Sequence, residues 1–353
     1  MKAAVLSEYG KIEWQDVAEP VVNDDQVLVK VAYASVCGSD MHIFKGDFHP
    51  RTQPPFVPGH EFSGTVVSVG KRVNRYSVGD QVTVDPIIWC GECAACKRGH
   101  YPACTSLKLL GIDMDGGFGE RVVAKESMLY KLPPHISLKH AALIEVLSIG
   151  FHACKRAGLK GNDTAVIWGT GRIGHCILQA ARVVTGGVIF MVDILDSRLK
   201  RAADSFPNVV PINLKKDDPL AIIRENTEGR GVDVAFEAVG HAQHVDGRPN
   251  PVRGCIQSIR GAGTVCVLGL SDEPAPVVMQ ELIWKEAKII ASRVSHGEFS
   301  DAIRYLNEDA LKPDVLISKV LHASDAQRAF ELLENEPEKY LKIILNVGGE
   351  ADV

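Results

Sequence analysis

The chain has 353 residues, more than one hydrophobic core ordinarily serves, so two domains are expected. Hydrophobic residues make up 46% and charged residues 24%, the balance of an ordinary globular protein. A net charge of -5 offers no attraction to nucleic acid or an anionic membrane, and no apolar run is long enough to span a bilayer.

The opening run Met1 to Leu6 meets Ser7-Glu8-Tyr9-Gly10 too soon to form a signal-peptide core, which points to the cytoplasm. In that compartment the nine cysteines are expected as metal ligands or buried thiols rather than disulfides. Cys154, Cys176, Cys255 and Cys266 sit singly among apolar neighbours and read as small buried hydrophobes.

Residues 1–148 read as β-rich. Val27 to Ala32 and Gly64 to Val69 are strand-like, with turns at Gly70, Gly79-Asp80 and Pro86. Gly116-Gly117-Phe118-Gly119-Glu120 turns into a further strand, Arg121 to Ala124.

Two sets of metal-ligand residues lie in this part. One is a ladder, Cys90-x2-Cys93-x2-Cys96-x7-Cys104. Four thiolates saturate a tetrahedral zinc, so the spacing predicts a closed structural site. A redox dithiol and a nucleic-acid-binding zinc ribbon compete with that reading; against the ribbon, the only basic residues inside the ladder are Lys97 and Arg98.

The other set is sparse: Cys37 in Cys37-Gly38-Ser39-Asp40-Met41-His42, and His60-Glu61 in Pro58-Gly59-His60-Glu61-Phe62. A mixed Cys, His and carboxylate set leaves zinc a coordination position for chemistry. Spacing alone leaves these residues open to being unrelated, and leaves Asp40, His42, Asp113 and Asp115 as competing ligands.

From 149 to 292 strands alternate with helices, the pattern of a doubly wound parallel sheet. The strand Thr164 to Trp168 runs into Gly169-Thr170-Gly171-Arg172-Ile173-Gly174, then a helix to Val184 and a strand Val188 to Val192 that ends in Asp193. Gly169 permits the turn, Gly171 the approach of a pyrophosphate, and Gly174 the packing of helix on strand. Asp193 stands where a carboxylate bonds ribose hydroxyls and repels a 2′-phosphate, which favours NAD. Arg198 is near enough to accept such a phosphate or to stack on adenine. Residues 293–353 show helices at Ala302 to Leu306 and Ala326 to Leu333 and a strand from Lys342 to Asn346, a tail expected to return to the first domain.

Together, Val36 to His42, Pro58 to Glu61, Gly79 to Val82, the Cys90 to Cys104 ladder, Gly169 to Gly174 and Asp193 resemble the zinc-dependent medium-chain dehydrogenase/reductase family, within it the polyol (sorbitol-type) and threonine dehydrogenase branch. The resemblance implies an α/β protein: a GroES-like β-rich catalytic domain with both zinc sites (1–148), a Rossmann NAD-binding domain (149–292), and a C-terminal return (293–353). It implies two zincs per subunit, one structural on Cys90, Cys93, Cys96 and Cys104, and one catalytic on Cys37, His60 and Glu61. Glu145 matches the family's further acidic ligand, although Val146 stands where the family has Pro. NAD would rest on Gly169, Gly171, Arg172, Ile173, Gly174, Asp193 and Arg198.

The implied reaction passes hydride from a secondary alcohol, activated by zinc as a Lewis acid, to nicotinamide. Ser39 is placed to take the alcohol proton and His42 to release it; the alternative for His42 is a surface histidine. Threonine enzymes carry a His just before the first ladder cysteine, and here Ile87, Ile88 and Trp89 fill that stretch, which favours a polyol or sugar-derived alcohol. A sugar acid is the alternative, through Arg293-Val294-Ser295-His296 or the 240–254 loop with His241, His244, Arg248 and Arg253. Outside the branch stand a zinc-ribbon binding protein and a non-catalytic structural relative. The apolar edge Lys288 to Ser292 predicts a homodimer or homotetramer.

Overall fold

The structure is a computed structural model and describes residues 1–240, 245 and 247–348. His241 and His244 of the 240–254 loop lie outside the described residues. The chain divides into two compact units: Met1–Val146 with Phe299–Asp309 and Leu316–Val353, and Leu147–Glu298 with Ala310–Val315.

The first unit is built on a seven-stranded sheet whose central member is Gln26–Ser35. Its alternating, β-branched sequence buries one face throughout and both faces toward its end. Three antiparallel strands pair with it: Glu61–Val69 along one side, and Arg121–Lys125 and then Lys342–Asn346 along the other. The two registers coincide at one end, where Ser35 faces Glu61 on one side and Ile344 on the other. The chain therefore leaves Ser35 for Cys37 between the head of Glu61–Val69 and the head of Lys342–Asn346. Ile317–His322 extends the sheet parallel to Lys342–Asn346.

Cys37 is the N-cap of the helix Gly38–Lys45, where the Asp40 carboxylate accepts the Cys37 N–H at 2.8 Å. The helix stops at Gly46, whose φ of +87° is the left-handed C-terminal conformation that glycine adopts without strain. The approach to His60 is pinned by a backbone crossing. Gly116 N–H donates to the Val57 carbonyl at 2.8 Å, Gly117 N–H to Gly59 at 2.8 Å and Phe118 N–H to Pro58 at 3.0 Å. A Cβ on Gly111 or Gly116 would overlap the Gly59 carbonyl oxygen, so the strands close only with glycine there.

The second unit carries a six-stranded, wholly parallel sheet in the order Val209–Asn213, Ile189–Asp193, Ala165–Trp168, Val232–Glu237, Ile259–Val267, Lys288–Ala291. Numbered along the chain this is 3-2-1-4-5-6, the Rossmann order, with a switch point beside Ala165–Trp168. The inner strands Ala165–Trp168 and Ile189–Asp193 are buried on both faces and correspondingly apolar. One core cluster gathers Val166, Trp168, Phe190, Val192, Ala235 and Val265. Cys154, Cys176, Cys255 and Cys266 are buried thiols, as their apolar surroundings in the sequence predict. Among the described residues no helix is long and apolar enough to cross a membrane.

The glycine crossing yields a test. Gly111 combines a φ of +75° with backbone contact, so Gly111→Ala is expected to cost about 3 kcal/mol or more in urea unfolding. Gly79 has a φ of +97° but open space around it, and Gly79→Ala is expected to cost only about 1 kcal/mol.

Candidate functional site

The four ladder cysteines converge, with all ligand atoms within 4.8 Å of one another. The Cys90–Cys104 and Cys90–Cys96 sulfur pairs stand 3.6 Å and 4.0 Å apart. Four sulfurs about 2.3 Å from a tetrahedral zinc would lie about 3.8 Å apart, so the cage is of the right size. The same distances far exceed a disulfide bond, and all four thiols are free. Backbone N–H groups of Cys90 and Cys93 point at the Cys104 and Cys90 sulfurs, each at 3.4 Å. The Cys96 N–H, followed by that of Thr105, draws the Cys93 thiol down to about 6. A zinc fits this site and fills it.

The second cluster is Cys37, His60 and Glu61, whose ligand atoms also lie within 4.8 Å of one another. Cys37 comes from the end of the central strand, His60 and Glu61 from the start of its partner. His60 and Glu61 are buried and Cys37 is half-buried. Three donors of mixed type leave a tetrahedral ion one position short of closure, so the cluster fits a reactive zinc rather than a structural one.

Its electrostatics favour a cation. Burial lowers the His60 pKa, but Asp40 and Cys37 outweigh that and hold it well above the ordinary imidazole range. The buried Asp40 carboxylate stands 3.4 Å from His60 Nδ1 while its other oxygen caps the helix. A metal would displace the His60 proton, and Asp40 would then orient the ring. Burial raises the Glu61 pKa, but Lys342 and then His60 reverse this and hold it ionised. The Lys342 ammonium donates to both Glu61 carboxylate oxygens, and both side chains are fully buried.

Glu145, at the start of the helix Ile144–Ala157, is buried nearby but is not among the three residues of the cluster. Burial pushes its carboxyl up to about 8, opposed by His60 and reinforced by Glu61. The competing aspartates are committed elsewhere. Asp113 takes Arg51 at 2.7 Å and the Leu109 N–H at 2.8 Å, and Asp115 accepts the Val57 N–H at 2.9 Å.

Ser39 and His42 are three apart on the helix Gly38–Lys45 and so share a face. Ser39 is half-buried beside Cys37, whereas His42 is exposed, with Nδ1 2.8 Å from Asp47 and its ring stacked on Phe48. His42 thus lies outside the metal cluster, at the solvent end of that face.

In the second unit the glycine loop has the predicted geometry. Gly169 adopts a φ of +96°. Gly171 caps the helix Arg172–Val184 with nothing nearer to its missing Cβ than Arg198 Nη1 at 3.8 Å. A Cβ on Gly174 would overlap the Gly169 carbonyl oxygen. Arg172 and Ile173 form the first helical turn, where free N–H groups converge. Asp193 ends Ile189–Asp193, the strand next to the loop, and accepts the N–H of Thr170 at 2.7 Å, of Ile194 at 2.7 Å and of Leu195 at 3.0 Å. Arg198 approaches it at 4.0 Å. The carboxylate therefore braces the loop.

The cations proposed for an acidic substrate have other partners. Arg253 is paired with Glu281 at 2.9 Å, and Arg248 donates to the Leu214 carbonyl at 3.1 Å. The Arg293 to His296 segment is held by Glu298, which accepts the His296 N–H and stands 3.2 Å from His152 Nδ1. Val294 has a φ of +49° there, a strained value for a β-branched residue. Sequence reasoning missed Lys342 as the partner of Glu61 in the metal cluster. Its one local signal is a lysine heading an otherwise apolar strand, Lys342-Ile343-Ile344-Leu345.

Residues 23–134 match the family described as "Alcohol dehydrogenase GroES-like domain", and residues 173–308 match "Zinc-binding dehydrogenase". The chain is 30% identical to sorbitol dehydrogenase of Bacillus subtilis, over 98% of this chain and 97% of that one. It is 32% identical to D-arabitol-phosphate dehydrogenase of Enterococcus avium, over 94% and 96%. Its fold superposes on an Escherichia coli CFT073 alcohol dehydrogenase complexed with NADH with a TM-score of 0.89 and 29% identity, covering 98% and 99%.

The elevated Glu145 pKa predicts how stability varies with pH. With metal removed, Glu145 stays protonated when folded up to about pH 8, whereas unfolded chains ionise near 4.5. The folded state binds the extra proton between these values, so this group's contribution to stability is present below pH 4.5 and is lost as pH rises toward 8. Urea titrations of chelator-treated protein are expected to show that fall, and Glu145→Gln is expected to flatten it.

Proposed function

The chain belongs to the zinc-dependent medium-chain dehydrogenase/reductase family, and on that premise we propose that it oxidises a secondary alcohol of a polyol or sugar-derived substrate to the ketone, with NAD as hydride acceptor. The observation that carries the reading is the buried, incomplete donor set of Cys37, His60 and Glu61 in a chain that also has a Rossmann glycine loop.

Cys37, His60 and Glu61 would hold the zinc, which would supply Lewis-acid polarisation of the alcohol oxygen. The protein's own groups handle the proton: Ser39, half-buried beside Cys37, takes it from the substrate hydroxyl, and His42, paired with Asp47 at the exposed end of the same helix face, releases it to water. Glu145, outside the three-residue cluster, is proposed to exchange with Glu61 or water as the acidic ligand during turnover, so that a position stays open for the alcohol. Asp193 receives the ribose hydroxyls and disfavours a 2′-phosphate, while Arg198 flanks the adenine side. Ile87-Ile88-Trp89 before Cys90 favours a polyol over threonine. In this reading residues 1–148 form the catalytic domain with both zinc sites, 149–292 the NAD-binding domain, and 293–353 the return.

The enzyme is proposed to be cytoplasmic and a homodimer or homotetramer. In the second unit Leu270, Met279, Ile283 and Trp284 are 83%, 59%, 71% and 78% exposed, near the sheet's last strand, Lys288–Ala291. So large an exposed apolar group beside an edge strand suits a second copy of the same surface.

Two measurements test these assignments. A panel of sugar alcohols, inositols, aldonates and threonine, read by NADH absorbance, is expected to show turnover with a polyol or sugar-derived alcohol. There Cys37→Ser is expected to lower kcat/KM at least about a hundredfold while the ladder zinc stays bound. No turnover across the panel by protein holding two zincs would sink the substrate class. Light scattering is expected to give an oligomer for the wild type and a smaller species for Trp284→Asp.

A further inference from the structure

Lys342 has no part in the hydride chemistry, yet it is fully buried against the metal cluster. Its ammonium donates to both oxygens of Glu61, and at 3.4 Å to the Val36 carbonyl. In the metal-free centre the ammonium balances the buried Glu61 carboxylate, but a bound divalent metal would itself supply that balance, leaving the burial of the ammonium as a cost. The stability of a metal-loaded centre therefore gives no reason for a lysine here.

Charge gives one. The thiolate of Cys37 and the carboxylate of Glu61 would together neutralise a divalent cation in full. An ammonium fixed on Glu61 returns one positive charge to the centre and occupies the very oxygens the metal needs. Resting on the proposed zinc site, we propose that Lys342 is a positioning residue that competes with the metal for Glu61. It keeps that carboxylate a partial donor, so the centre holds zinc less tightly and stays net positive toward an alcohol oxygen. Arginine would keep the charge and the two-pronged grip; methionine would remove both.

The test reads zinc directly. Protein loaded with two zincs is mixed with a chromogenic chelator, and release from the Cys37, His60 and Glu61 site is followed, with the four-cysteine zinc and the circular dichroism spectrum as controls of folding. Lys342→Met is expected to slow release at least about tenfold, since a repelling charge is gone and Glu61 is freed for the metal. Lys342→Arg, the variant that keeps a folded cluster, is expected to release zinc at the wild-type rate. With cobalt in place of zinc, Lys342→Met is expected to change the visible ligand-field spectrum. That change is expected to vanish when Glu61→Gln is also present, because it passes through Glu61. Release from Lys342→Met as fast as wild type, slowed release from Lys342→Arg, or a cobalt change that persists beside Glu61→Gln would each overturn the inference. A wild type that binds only the ladder zinc would instead overturn the proposed function.

Discussion

The strand Gln26–Ser35 has different neighbours on its two sides, and their registers come level at Ser35. Val36 still donates its N–H to the Ile343 carbonyl at 3.1 Å; beyond it the backbone turns, and Cys37 becomes a helix cap between Glu61 and Lys342. A one-residue slip on either side would reverse which side chains face inward and send Glu61 or Lys342 to the other face of the sheet. The metal cluster is in this sense a by-product of strand register. The glycine crossing at Gly59, Gly111 and Gly116 serves the same end, since it fixes where His60 begins.

That origin explains what could be seen in the sequence. The ladder and the glycine loop are local: spacing along the chain and the special backbone needs of Gly169, Gly171 and Gly174 are legible as written. The alternation of strand and helix in the second unit is equally direct, because short apolar strands buried on both faces have few other readings. Cys37, His60 and Glu61 are ambiguous by spacing, because Asp40, His42, Asp113 and Asp115 compete with them. Only folded partners separate them. Arg51 and the Leu109 N–H claim Asp113, the Val57 N–H claims Asp115, and Asp40 turns out to sit behind His60 as a support.

Lys342 was out of reach for a further reason. Its partner lies 281 positions away, and nothing within a few residues of it speaks of metal. A lysine at the head of an apolar strand ordinarily snorkels to solvent, and that expectation fails here because the central strand's far neighbour supplies a carboxylate. The Asp193 carboxylate teaches a related lesson. Its place after the strand is plain in the sequence, but its bonds to Thr170, Ile194 and Leu195 give it a structural duty that pattern alone does not reveal.

The span between Glu61 and Lys342 has a consequence for how the protein is made. A ribosome adds residues in order, so Cys37, His60, Glu61 and the whole ladder emerge while the strand Lys342–Asn346 is still untranslated. Until it arrives, Glu61 has no ammonium against it, and the nascent cluster presents a carboxylate with its full charge to passing cations. Among the described residues the strand that carries Lys342 is made last, so the restraint proposed for Glu61 would be the last part of the site to form.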